Sequence, residues 1–171
     1  MKKIAAIAGA VFIIAAALFL WIDGHPRVAA APFELKSGVA LDLPIGWPVP
    51  EQEFGIVSVS AAPGDHYPWK LSIHDKGTDV KIESVIEELR KGYGDLAGPV
   101  GEVRLRNGIA AKSWIATEPM MEVSQDHRIY VFGAPNGRVY WAMLPRPKSW
   151  RKARRYDAIF RDVLGSMRFR S

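Results

Sequence analysis

Two short turns, Asn107-Gly108 and Pro135-Asn136-Gly137, each separate two stretches in which apolar and polar residues alternate. A parallel neighbour needs a crossover of a dozen or more residues, so both pairs must run antiparallel. Residues 100–105 with 109–117, and 128–133 with 138–144, are therefore expected as two hairpins. Asn107-Gly108 suits a two-residue turn because both residue types tolerate positive φ. The remaining alternation predicts a hairpin from 33–36 and 39–43 around Ser37-Gly38, then strands over 54–61 and 69–74. Between them Pro44, Gly46, Pro48 and Pro50 interrupt regular structure, and Trp47 is expected to plug one edge of the core.

Two stretches change period. Ile82, Val85, Ile86, Leu89 and Tyr93 recur at helical spacing after Thr78-Asp79, which reads as the N-cap, and Gly92 and Gly94 mark the end. A last helix begins at Ser149 and runs to Gly165, with Trp150, Ala153, Tyr156, Phe160, Val163 and Leu164 expected on its packed face. The tail Ser166-Met167-Arg168-Phe169 either closes a sheet as a short strand or caps the core. The fold class read from this order is α+β with a central antiparallel sheet.

Lys2 and Lys3 precede an unbroken apolar run, residues 4–22, which opens on Ile4 and closes on Ile22. Nineteen helical residues rise about 28 Å, close to the ~30 Å hydrocarbon thickness of a bilayer. That is longer than the roughly 7 to 15 residues of a cleavable signal. The run therefore reads as an uncleaved signal anchor. Cleavage near Val28-Ala29-Ala30, releasing a soluble exported domain, is the alternative. The two lysines favour a cytoplasmic N-terminus. The division expected is 1–31 as anchor or signal plus linker and 32–171 as one domain outside the cytoplasm, in a periplasm if the inner membrane is the one spanned. The absence of cysteine excludes disulfides, thiolate catalysis and thiolate metal sites.

The chain resembles the family of PsbP-type photosystem extrinsic proteins, Ran-binding Mog-type proteins and bacterial envelope relatives. The resemblance covers about 33–169. It rests on Leu43-Pro44-Ile45-Gly46-Trp47 after the opening hairpin, on Asn107-Gly108-Ile109-Ala110 before a long strand, and on Leu164-Gly165-Ser166-Met167-Arg168-Phe169 after the last helix. It implies an α/β/α sandwich around an antiparallel sheet, used for docking to larger assemblies rather than for catalysis. No ligand residue of the family carries over position by position.

Charge is unevenly distributed. Residues 1–31 hold three basic residues against one acid, 32–144 hold eleven against fifteen, and 145–171 hold nine against two. Arg146, Lys148, Arg151, Lys152, Arg154 and Arg155 gather before and within the first turns of the last helix, where positive charge opposes the helix macrodipole. Asp157 is placed to pair with Arg154 and Arg161 within the helix, yet the first turn holds no acid. The block reads as a contact surface for an acidic envelope protein or an anionic lipid surface. Export argues against nucleic acid as the partner. Among loops, Asp65-His66-Tyr67-Pro68-Trp69 is the most ligand-like, making His66, Tyr67 and Trp69 an alternative contact site.

His25, His66, His74 and His127 form no close metal pair, and no GxSxG elbow frames a serine. No cofactor or metal is expected. His74-Asp75 and Asp126-His127 keep open a His/Asp-dependent hydrolase, and a carrier of a small hydrophobic ligand is the third possibility. A non-enzymatic binding or assembly module fits these features best.

Overall fold

The computed structural model describes residues 30–34, 39–45, 47–53, 56–60, 70–119 and 124–169. Both the apolar run 4–22 and the loop holding His66, Tyr67 and Trp69 lie outside them. Among the described residues no helix is long and apolar enough to cross a membrane.

The chain is α+β. Strands β1 (Ala30–Glu34), β2 (Val39–Pro44) and β10 (Arg168–Phe169) form a small sheet in the order β1-β2-β10. A seven-stranded sheet runs in the order β3-β4-β5-β9-β8-β7-β6, built from β3 (Glu51–Glu53), β4 (Ile56–Ser60), β5 (Lys70–Gly77), β6 (Gly101–Arg104), β7 (Ala110–Glu118), β8 (Gln125–Gly133) and β9 (Val139–Arg146). Every pairing is antiparallel. The helices are α1 (Ile82–Tyr93) and α2 (Trp150–Gly165).

Successive side chains of a strand point to opposite faces, and β8 uses both. Its Tyr130 and Phe132 join Phe160, Val163 and Leu164 of α2 and Leu41 of β2 in one core cluster. Its Ile129 and Val131 join Val85 of α1 and Trp114 of β7 in another. The large sheet thus has one helix on each face. Trp47 packs on the first cluster with its ring 5.2 Å from that of Phe160, the edge-plugging role its sequence position suggests.

Four local expectations need correction. The β6–β7 turn is a three-residue loop, not a two-residue one, whereas the β8–β9 loop is Pro135-Asn136-Gly137 as expected. Gly108 N donates to Leu105 O and Leu105 N to Ile109 O, and Gly137 N and Ala134 N repeat the pattern with Ala134 O and Arg138 O. Glycine takes the left-handed position in each, at φ 85° and 77°. Each asparagine Oδ1 accepts from the amide two residues on, Ile109 and Arg138, each at 3.2 Å.

Helix α1 starts after Lys81, not Thr78-Asp79. Val80 just before that cap and Val85 in the first turn join the same cluster, a hydrophobic staple that sets the start by packing. Gly92 lies inside the helix and Gly94 alone caps it, at φ 55°. Trp150, expected on the packed face of α2, is 62% exposed. It occupies the first helical position, before α2 comes down on the sheet at the buried Ala153.

Candidate functional site

Helical spacing puts Arg154, Asp157, Ala158 and Arg161 on one side of α2. Beneath them lie strand residues that share a face with the first core cluster: Val103, Ser113, Arg128, Tyr130 and Arg146. Together these nine line a cleft of about 420 Å³ between helix and sheet. The strand register explains the crowding. Arg128 pairs with Leu144 and Asp126 with Arg146, so Arg128 and Arg146 are diagonal neighbours on one face.

Two adjacent guanidiniums require a counter-charge, and Asp157 provides it. Its Oδ2 accepts from Arg146 Nε at 3.2 Å and from Arg128 Nη2 at 3.4 Å. The expected pairing of Asp157 with Arg154 and Arg161 within the helix is therefore replaced by pairing across to the sheet. This corrects the place of Arg146 too, whose side chain is only 19% exposed. It belongs to the cleft rather than to an outer surface.

Three polar atoms at this place are buried without a protein partner: Ser113 Oγ, Arg128 Nε and Asp157 Oδ1. Ser113 as a residue is 4% exposed. Buried polar groups are normally hydrogen-bonded, so a cluster of unmet ones marks a site rather than a core. Tyr130 is pushed up to about 12, mainly by burial and secondarily by Asp157, so its phenol stays a neutral donor throughout the ordinary pH range. Arg154 and Arg161 make no ion pair among the described residues.

The rest of the basic block faces outward. Lys148, Arg151, Lys152, Arg154 and Arg155 are exposed around Trp150, and the first turn of α2 holds no acid. Ser149 stands at the N-cap without a side-chain capping bond.

The histidine pairs separate. His74 stacks on Trp141, ring centroids 3.8 Å apart, while Asp75 is held by Arg138 at 2.8 Å and by the Gly77 amide. Asp126 accepts from Thr117 Oγ1 at 2.8 Å. His127 is buried on the α1 face, its Nε2 3.1 Å from Glu118 Oε2 but without hydrogen-bond alignment. Burial holds the pKa of both rings below the usual histidine value. Lys76 adds to this at His74, whereas Glu118 and Asp126 oppose it at His127. Ser113 lies on the other face of the sheet, so it forms no nucleophile–base pair with His74 or His127. Among the described residues no group of three or more His, Asp and Glu is placed to hold a metal ion.

Sequence reasoning named Arg146 and Arg154 but missed Arg128, Ser113 and Arg161 as parts of one site. The available signal was Arg128 two residues before Tyr130 on a strand whose alternate positions are apolar. An arginine at an inward position is the informative exception.

An α+β domain built on antiparallel sheet is the class to which solved structures compare. A Bacteroides thetaiotaomicron VPI-5482 protein aligns with TM-score 0.57 and 13% identity over 82% of this chain, which spans 48% of that one, about half its length. A Pseudomonas aeruginosa protein, described as of unknown function and as a suggested regulator, aligns with TM-score 0.52 and 13% identity over 83% of this chain and 98% of its own. At such identity the likeness shows the fold alone. No family model matches the sequence, and no curated protein does.

Proposed function

We propose that this chain is a non-enzymatic binding module of the cell envelope that docks an acidic protein partner through the exposed basic start of α2. In this reading the domain is an α/β/α sandwich on the PsbP/Mog plan. Residues 4–22 hold it at the inner membrane facing the periplasm, or are cleaved to release it there. The observation that carries the docking is the ring of Lys148, Arg151, Lys152, Arg154 and Arg155 around a Trp150 that is 62% exposed. Tryptophan and arginine are the residue types that dominate binding hot spots, and neither is needed here for the core. Positive charge at a helix N-terminus also costs stability, which a partner's acids would offset.

The test places a photo-crosslinking amino acid at position 150 of the full chain in its native cells. The control is the same chain carrying Arg151→Glu, Lys152→Glu and Arg155→Glu, three exposed positions outside the cleft. The expected result is one discrete protein adduct, lost in the control, whose purified partner binds the purified chain at least about tenfold more tightly than it binds the control. An adduct that survives charge reversal, or adducts to lipid alone, would remove the assignment.

A further inference from the structure

We infer that the cleft between α2 and the sheet is a binding site for a dianionic phosphate group carried as a monoester. This goes beyond the docking reading and does not depend on it, since the two residue sets share only Arg154.

The charge balance is the first argument. Arg128, Arg146, Arg154 and Arg161 line the cleft together with a single carboxylate, Asp157. Asp157 occupies one N–H of Arg128 and one of Arg146. A guanidinium offers five N–H donors, so most of the donor capacity of the cleft is unspent. The second argument is the buried Ser113, whose unpartnered Oγ lines the same cleft. Burying a hydroxyl without a partner is costly, and the adjacent unpartnered Arg128 Nε repeats the cost. An acceptor between helix and sheet would satisfy both.

The number and arrangement of donors select the ligand class. Donors converge from the strands below and the helix above, with the Tyr130 phenol beside them, which is more than the two oxygens of a carboxylate can accept. A phosphate monoester presents three terminal oxygens and two charges, and arginine matches it in forked geometry. The cleft, at about 420 Å³, has room for the esterified group as well. The phosphate arises either from a small soluble ester or from a lipid head group of the phosphatidic acid type, and the chemistry recognised is the same.

Titration calorimetry on the full chain in detergent tests this with inorganic phosphate and glycerol 3-phosphate. Flotation with vesicles of phosphatidylcholine containing phosphatidic acid, or containing phosphatidylglycerol, tests the lipid source. The variants are Arg154→Gln with Arg161→Gln, both outside ion pairs among the described residues and so expected to fold, and separately Ser113→Ala. Saturable binding of glycerol 3-phosphate is expected to weaken at least about tenfold in the double arginine variant. Binding should also tighten as pH rises through about 6, where phosphate loses its second proton. The titratable groups that face the ligand are Arg128, Arg146, Arg154, Arg161, Asp157 and Tyr130, and the Tyr130 phenol stays neutral across that range.

Binding confined to phosphatidic acid vesicles and lost in the Arg154/Arg161 variant upholds the site and assigns the lipid source. Three results overturn it: no saturable binding of any probe up to about 10 mM, binding unchanged in the Arg154/Arg161 variant, or vesicle binding lost only when Arg151, Lys152 and Arg155 are reversed.

Discussion

At the scale of single residues, Gly165 shows how a close approach inverts an ordinary rule. Replacing a helical glycine by alanine usually stabilises by about 0.5–1 kcal/mol. Here a Cβ on Gly165 would stand 2.6 Å from Arg106 N and 2.7 Å from Arg106 Cβ, because the β6–β7 turn seats against the end of α2. Backbone cannot swing aside as a flexible side chain can. Gly165→Ala is therefore expected to destabilise by about 1–3 kcal/mol, read as a lowered urea midpoint at unchanged slope. The two described histidines give a pH prediction. Burial lowers the pKa of His74 and His127 in the folded state, so the unfolded chain binds more protons as pH falls below 6.5. Stability then rises with pH through that window and is lost on acidification toward the lowered folded values. Carboxylates contribute to acid unfolding as well. The check is thus a difference: His74→Gln with His127→Gln should flatten the slope of stability between about pH 5 and 7, and an unchanged slope would refute it.

At the scale of elements, alternation and period were enough to place the strands that pair through short turns, because a hairpin is a local object. Turn length and one helix start were misplaced. The β6–β7 turn looked like a two-residue reversal because Asn107-Gly108 is chemically suited to one, but the hydrogen bonds from Leu105 and Gly108 close a three-residue loop. The start of α1 was assigned to Thr78-Asp79 on capping chemistry, whereas Val80 and Val85 set it by packing on the sheet. The start of α2 followed the sequence, yet its capping is incomplete, with no side-chain capping bond from Ser149 and no acid in the first turn. Ser149→Asp would set a carboxylate at the N-cap, where it accepts from the first amides of the helix and opposes the positive charge of the first turn. A gain of about 0.5–1 kcal/mol in chemical denaturation is expected, and an unchanged midpoint would refute it.

At the scale of the whole molecule, the sheet separates α1, where exposed Glu83, Glu87 and Glu88 stand beside exposed Lys81 and Lys91, from the basic start of α2. The uneven charge of the C-terminal block was legible from counting residues. The division of that block into an outward ring and an inward cleft was not, because it depends on Arg128 and Ser113, which are distant in sequence and meet α2 only through the register of β7, β8 and β9. This arrangement separates net charge from surface as the determinant of docking. Lys81→Glu with Lys91→Glu on α1, and Arg151→Glu with Arg155→Glu on α2, change net charge equally. With immobilised poly-L-glutamate as probe, a response to net charge alone would weaken binding alike in both. A response to the α2 surface would leave the first variant near the parent chain and weaken the second about tenfold, since exposed pairs contribute up to about 1 kcal/mol each. The α2 variant should also lose most of its dependence on ionic strength, because the charges screened by salt are those that were removed.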